Sequence, residues 1–298
     1  MTTHSSSEDS VGNFRQIDLT QELITGEDVI VIRPGFKIDR LGLPQVWGSK
    51  DLLMFFVLRS IRGRYRPTAL GYGWIIFRPL LLCLVYVVVF GNMMGVKTDP
   101  IPFPLFVFLG ISLYLFFSGT VSDTAASLIN NAGILSKVYY PRLIVPLTAL
   151  FVNLMDLLAS FVVIALLMVI YGVSPNWDLI YFPVFLGGLA LASFVLGLIL
   201  AAHSIESRDI MMALPVILRV MIYGMPCVYP VHMVPDRLIT LYYMNPMASL
   251  IQGVRWSLWG EVSPPTWSVL LAVVLTLISG YYALVVFTKA ERTMVDSL

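Results

Sequence analysis

Residues 59–79 read RSIRGRYRPTALGYGWIIFRP, and this stretch decides the fold. Four arginines precede Pro67, and an uninterrupted apolar run begins at Trp74. Upstream, Leu53, Val57 and Ile61 recur at four-residue spacing, while Arg59, Arg62 and Arg66 share the opposite sector. That pattern predicts an amphipathic helix over 50–66, ended by Pro67. It is too short and too charged to cross a bilayer, so it is expected to lie in the membrane interface. A plainer reading is a basic collar that anchors the chain to anionic membrane lipids.

Composition agrees. The chain has 298 residues, of which 58% are hydrophobic and 12% charged, with mean hydropathy +0.83. Soluble domains carry about 25% charged residues, so the balance is that of a polytopic membrane protein. The net charge of +1 argues against nucleic acid as a partner. The polar N-terminus lacks the basic-then-apolar pattern of a cleaved signal peptide and is expected to stay in the cytoplasm. Cys83 and Cys227 fall in apolar runs and suit packing rather than a disulfide framework. The three histidines, His4, His203 and His232, are scattered, so no metal site is expected.

Apolar runs follow at about 74–95, 103–128, 143–171, 179–202, 210–230 and 266–287. Each reaches the ~20 residues needed to span hydrocarbon. The expected fold is an all-α integral membrane protein with six transmembrane helices. Its parts are a cytoplasmic extension over 1–49, the interfacial helix over 50–66, and a transmembrane domain over 67–298. Within the extension, Val29 to Ile32 is a short β-type run stopped by Arg33-Pro34-Gly35. With the N-terminus inside, 15 of the 19 lysines and arginines fall on the cytoplasmic side. Only Lys97, Arg237 and Arg255 fall outside, and Arg219 sits within a span, so both termini are placed in the cytoplasm.

The connections are uneven. Residues 130–141, NNAGILSKVYYP, form an inner loop long enough for a short helix. Residues 231–265 carry apolar pieces too short to cross, and these suggest short re-entrant or interfacial helices between spans 5 and 6 on the outer face. There is no internal repeat of the kind many secondary transporters show.

Ionisable residues inside spans are functional candidates by default. Asp156 and Arg219 are expected to pair within the membrane; the alternative is that they line a wet path. Asp123, beside Ser122 and Thr124, is a further candidate for a cavity wall. Tyr86, Phe90, Tyr114, Phe117 and Tyr223 are candidates for a sugar path, because rings stack on sugar faces while phenols bond their edges. Interfacial belts and lipid contact are the competing explanation. No GxxxxGK[ST] phosphate loop exists; the nearest string, Gly48-Ser49-Lys50, lacks its other elements. Nothing resembles a nucleophile–base pair, so the chain reads as a non-enzyme that needs any ATPase on another chain.

Four ordered motifs together resemble a known family. They are the 59–79 stretch, VYYPRLIVP over 138–146, NPMASLIQGVRW over 245–256, and FTKAERTMVD over 287–296. They look like ABC-2 type permeases of polysaccharide export, with O-antigen permeases the nearest group, and the likeness covers about 47–298. It implies a homodimer of six-span subunits in a bacterial inner membrane, bound to two ATP-binding cassette subunits. ATP and Mg would bind those partners, with no cofactor in this chain, and the substrate would be a polysaccharide on undecaprenyl pyrophosphate. The loop over 130–141 would couple to the ATPase through Asn131, Ile134, Leu135, Lys137 and Tyr140. The helix over 50–66 would lie at the cytosolic gate. Asn245, Pro246, Arg255 and Trp256 would belong to a periplasmic gate.

Pyrophosphate calls for charge-assisted, bidentate donors, so Arg59, Arg62, Arg64 and Arg66 are its candidate ligands. Arg64 lies off the main basic face and is equally a candidate for holding the gate structure. Ser60 stands where relatives often have an acid, Met294-Val295 where they often have Phe-Ala, and Arg219 matches no family feature. Exporters of teichoic acid or capsule share the architecture. The YYPR and NP…GVRW motifs argue against lipid or drug exporters. A membrane enzyme on lipid-linked sugars would need an acid–base cluster near the interface, which the sequence lacks.

Overall fold

The computed structural model describes residues 48–131, 133, 141–205, 207 and 209–296. Residues 1–47 of the 1–49 extension, with the Val29–Ile32 run, lie outside them, as do Ile134, Leu135, Lys137 and Tyr140 of the inner loop. Among the described residues there is helix and no strand.

The helices are α1 (Lys50–Tyr65), α2 (Trp74–Tyr86, continued by a π-helix over Val87–Met93), α3 (Phe103–Asn130), α4 (Ile144–Tyr171), α5 (Phe182–Ser204), α6 (Asp209–Met221), α7 (Asp236–Tyr243), α8 (Pro246–Trp259) and α9 (Thr266–Asp296). Among the described residues, five helical segments are long and apolar enough to cross a membrane. They are Gly71–Met93, Phe103–Asn130, Ile144–Tyr171, Trp177–Ser204 and Thr266–Ala290.

The expected fifth span, 210–230, is not a single long helix. Its α-helical part, α6, has 13 residues, which at 1.5 Å per residue is roughly 20 Å, short of a ~30 Å hydrocarbon core. A 3₁₀ turn over Ile222–Gly224 follows, and Pro226, which has no N–H to donate, helps keep the helix from resuming. The released carbonyls find side-chain donors instead. Tyr229 Oη donates to Tyr223 O at 2.5 Å, Asn245 Nδ2 to Gly224 O at 3.1 Å, and Arg255 Nη2 to Cys227 O at 3.2 Å. Buried non-helical backbone requires this kind of internal satisfaction.

The long helix α3 is the hub, packed by α2, α4, α5 and α6. Its residues Leu105 to Leu113 are all buried. Close packing depends on two glycines. A Cβ at Gly197 of α5 would sit 2.7 Å from Thr124 Cβ, and one at Gly119 of α3 would sit 2.3 Å from Asn153 Oδ1 of α4. The outward faces of α2, α4, α6 and α9 instead expose apolar side chains such as Leu84, Val162, Met212 and Leu277. Continuous apolar exposure on this scale would aggregate in water; it suits lipid.

The amphipathic α1 lies on α4. Val57 is buried to 3% exposure, and Leu52, Leu53 and Phe56 pack on a core cluster that includes Ile144 and Val145. Met54, Phe55 and Leu58 point outward. The helix therefore has two apolar sides, one toward the protein and one free for the bilayer.

Candidate functional site

A cavity of about 760 Å³ opens between α1, α2, α3, α4 and α6. Its charged lining comprises Arg64, Arg78, Asp123, Asp156 and Arg219. Tyr65, Tyr86, Tyr114, Ser118, Ser122, Asn153 and Ser160 add polar groups. Polar and charged side chains thus share the lining with apolar ones such as Leu82, Leu115 and Leu157.

Its organising cluster sits where the last turn of α1 meets α3 and α4. Arg64 Nη2 lies 2.5 Å from Asp123 Oδ2 and Arg64 Nη1 lies 3.2 Å from Asp156 Oδ2. Tyr65 Oη donates to Asp156 Oδ2 at 2.6 Å, and Asn153 Nδ2 donates to Asp123 Oδ2 at 2.8 Å. Asn153 also reaches Ala149 O, which sets its rotamer, and the absent Cβ at Gly119 makes room for it. One arginine thus holds two carboxylates from two helices, a geometry suited to the planar guanidinium fork. Burial works against the charge of Arg64, but the two carboxylates outweigh it and raise its pKa. Burial, reinforced by the bond to Asp156, pushes the Tyr65 phenol up to about 12.

This arrangement replaces the expected Asp156–Arg219 pair. The carboxylate of Asp156 is engaged by Arg64 and Tyr65 from α1, while Arg219 stands exposed on α6 and lines the same cavity. The physical reason is reach: α1 lies directly on α4, which delivers Arg64 and Tyr65 to Asp156.

Of the path aromatics, Tyr86 and Tyr114 line the cavity, and Tyr223 follows the lining residue Ile222. Tyr114 Oη donates to Leu218 O, tying α3 to α6. Phe90 packs on Tyr86 with centroids 5.8 Å apart, away from the cavity wall. Phe117 is fully buried in the core and does not face the cavity. Its position on the hub helix, surrounded on all sides, is what removes it from the path.

Among the arginines of α1, Arg59, Arg62 and Arg66 are exposed, away from the cavity lining, and Arg64 alone turns into it. Asn131 closes α3, donating from Nδ2 to Ser127 O at 2.8 Å.

The residues expected at an outer gate have structural contacts. Asn245 caps α8, its Oδ1 accepting from Met247 N at 3.0 Å, and Pro246 occupies the first helical turn, where a missing N–H costs nothing. Trp256 stacks on Tyr181 at 5.5 Å and meets Phe185 edge-on at 6.1 Å. Arg255, expected on the outer flank, is instead fully buried. Its Nη2 donates to Phe106 O and Cys227 O, both at 3.2 Å, and its guanidinium lies 3.5 Å over the Phe106 ring. The non-helical 225–230 segment leaves the buried Cys227 carbonyl open to a donor, and Arg255 turns inward to supply it.

Sequence reasoning did not single out Tyr65, Arg78 or Asn153. Arg78 carried a readable signal, a lone cation inside an apolar run. Asn153 stands three residues before Asp156, a spacing that puts both on one helix face. Tyr65 carried none.

A domain of long apolar helices built around a charged, walled cavity, with an amphipathic helix locked to its side, suits a membrane transport protein. Residues 52–259 match the ABC-2 type transporter family, and the chain belongs to it. It is 27% identical over 259 residues to the O-antigen export system permease protein RfbA of Myxococcus xanthus, covering 85% of this chain and 98% of that protein. The same-named protein of Klebsiella pneumoniae is 27% identical over 206 residues, covering 69% and 79%. The polysialic acid transport protein KpsM of Escherichia coli is 22% identical over 270 residues, covering 89% and 99%.

Proposed function

We propose that this chain is the permease subunit of an ABC transporter that exports O-antigen-type polysaccharide, linked to undecaprenyl pyrophosphate, across a bacterial inner membrane. The observation that carries the reading is the end-to-end likeness to O-antigen export permeases. The cavity supports it: Tyr86 supplies a ring face and a phenol, and serines supply hydrogen-bonding edges. ATP hydrolysis belongs to a separate pair of cassette subunits, which receive the inner loop over 130–141. A homodimer completes the path, each copy contributing the exposed apolar faces of α2 and α6 that flank the cavity. The sixth crossing is made by α6 together with the broken 222–230 segment. On this topology α7 and α8 are re-entrant on the outer face, and both termini are cytoplasmic.

Capsular polysaccharide is the second reading, favoured by the likeness to a polysialic acid transport protein over nearly its whole length. One experiment separates these. In a strain lacking this chain, surface polysaccharide is compared with lipid-linked polysaccharide retained on the cytoplasmic face. Long chains trapped inside on undecaprenyl pyrophosphate, with the surface polymer missing, are expected. Trapped chains on another lipid anchor favour the capsular reading. A normal surface polymer with no trapped intermediate, in a strain without a redundant exporter, refutes both.

A further inference from the structure

The cavity's charges do not cancel locally. Both carboxylates, Asp123 and Asp156, turn Oδ2 toward Arg64. That leaves Arg78 of α2 and Arg219 of α6, both exposed and both lining the same space, with no ion pair among the described residues. Tyr114 lines that space with them. Tyr114 is itself bonded to Leu218 O, so the helical turn that carries Arg219 is held against α3.

An arginine within an apolar helix is costly unless it meets an anion or water. Here two are retained, on different helices, facing one cavity whose carboxylates are already engaged. A single guanidinium fork satisfies one carboxylate or one edge of a phosphate. Two forks from separate helices suit a group with more acceptor oxygens, and guanidinium is the cation best matched to phosphate geometry.

We propose that Arg78 and Arg219 form an anion site in the cavity wall that takes a phosphate-class group, separate from the surface arginines of α1. Two sources supply that chemistry: the diphosphate of a polyprenyl carrier and the phosphate of a bilayer lipid. The first rests on the export reading above; the second does not.

The test is native mass spectrometry of the purified full-length chain, titrated with undecaprenyl diphosphate and, separately, with phosphatidylglycerol. Wild type is expected to bind the diphosphate at least tenfold more tightly than R78Q/R219Q, with phosphatidylglycerol binding unchanged. R219Q alone, at an exposed position, is expected to lose affinity several-fold, which keeps the test open should the double variant misfold. R237Q, on α7 and away from the cavity, serves as the control and is expected to match wild type. A loss confined to phosphatidylglycerol assigns the same site to lipid phosphate. If wild type binds no diphosphate while its phosphatidylglycerol binding depends on Arg78 and Arg219, the carrier reading fails and the anion site stands. If folded R78Q/R219Q, or R219Q where the double variant does not fold, binds both lipids as wild type does, the site is refuted.

Discussion

Replacing Arg64 by alanine should release the C-terminal turn of α1 while leaving the rest of that helix in place. The substitution removes two charge-assisted contacts, at 2.5 and 3.2 Å, and strands Asp123 and Asp156 on facing helices without their cation. A hydrogen bond to a charged group contributes roughly 1.5–3 kcal/mol. Two such contacts would sum to roughly 3–6 kcal/mol, but the three side chains are 24–37% exposed, so solvent screening brings the loss down to about 2 kcal/mol. At ~1.4 kcal/mol per tenfold, the open population of that turn rises ~30-fold. Val57, Leu52, Leu53 and Phe56 still seat the first half of the helix on its apolar cluster. Hydrogen exchange of the chain in lipid nanodiscs, read by mass spectrometry, should therefore show lost protection over residues 61–66 and little change over 50–57. Adding Asp156→Asn should restore part of it by removing one stranded charge. Unchanged exchange over 61–66 in Arg64→Ala would refute the lock between α1 and the two spans, and uniform loss along α1 would refute its division into charged and apolar halves.

Three further outcomes are expected of the same packing. Arg255→Ala leaves the carbonyls of Phe106 and Cys227 without their donor and empties the space over the Phe106 ring; a loss of about 3 kcal/mol is expected, seen as a lower thermal-unfolding midpoint, with Arg255→Met losing less because it refills the volume. Gly119→Ala places a methyl 2.3 Å from Asn153 Oδ1, so Asn153 should be pushed off Asp123 at a cost of about 1–3 kcal/mol, checked by the same midpoint. The Tyr65 phenol, held at about 12 against an ordinary 10.0, favours the folded state in its protonated form; its contribution is full below about pH 10 and is lost as pH rises through about 12. A difference absorbance titration of wild type against Tyr65→Phe should place that one phenolate above the bulk of the 14 tyrosines.

Much of this protein was determined by its sequence alone, because the signals are local. Apolar run length reports the long apolar helices, and four-residue spacing in α1 reports an apolar side, which the fold turns onto α4 so that Val57 is buried. Asn245-Pro246 is a helix start readable from side-chain chemistry, a cap followed by a residue that needs no donor. The four ordered motifs pointed to the family that the match over 52–259 establishes.

What tertiary structure decided was pairing and depth, since neither is encoded in spacing. Asp156 could be seen to need a cation, but whether Arg219 or Arg64 supplied it depended on α1 lying against α4. Arg255 reads as an outer-flank residue until the broken 225–230 segment brings the carbonyl of Cys227 within reach of its guanidinium. Phe117 and Tyr114 are equivalent in sequence, three residues apart on one helix, and both are buried, yet only Tyr114 borders the cavity. Hydropathy counts the apolar residues of 210–230 and so predicts a span. The helix stops at Met221 because the side chains of Tyr229, Asn245 and Arg255, distant in sequence or folded back on the chain, satisfy the carbonyls that further helix would have used.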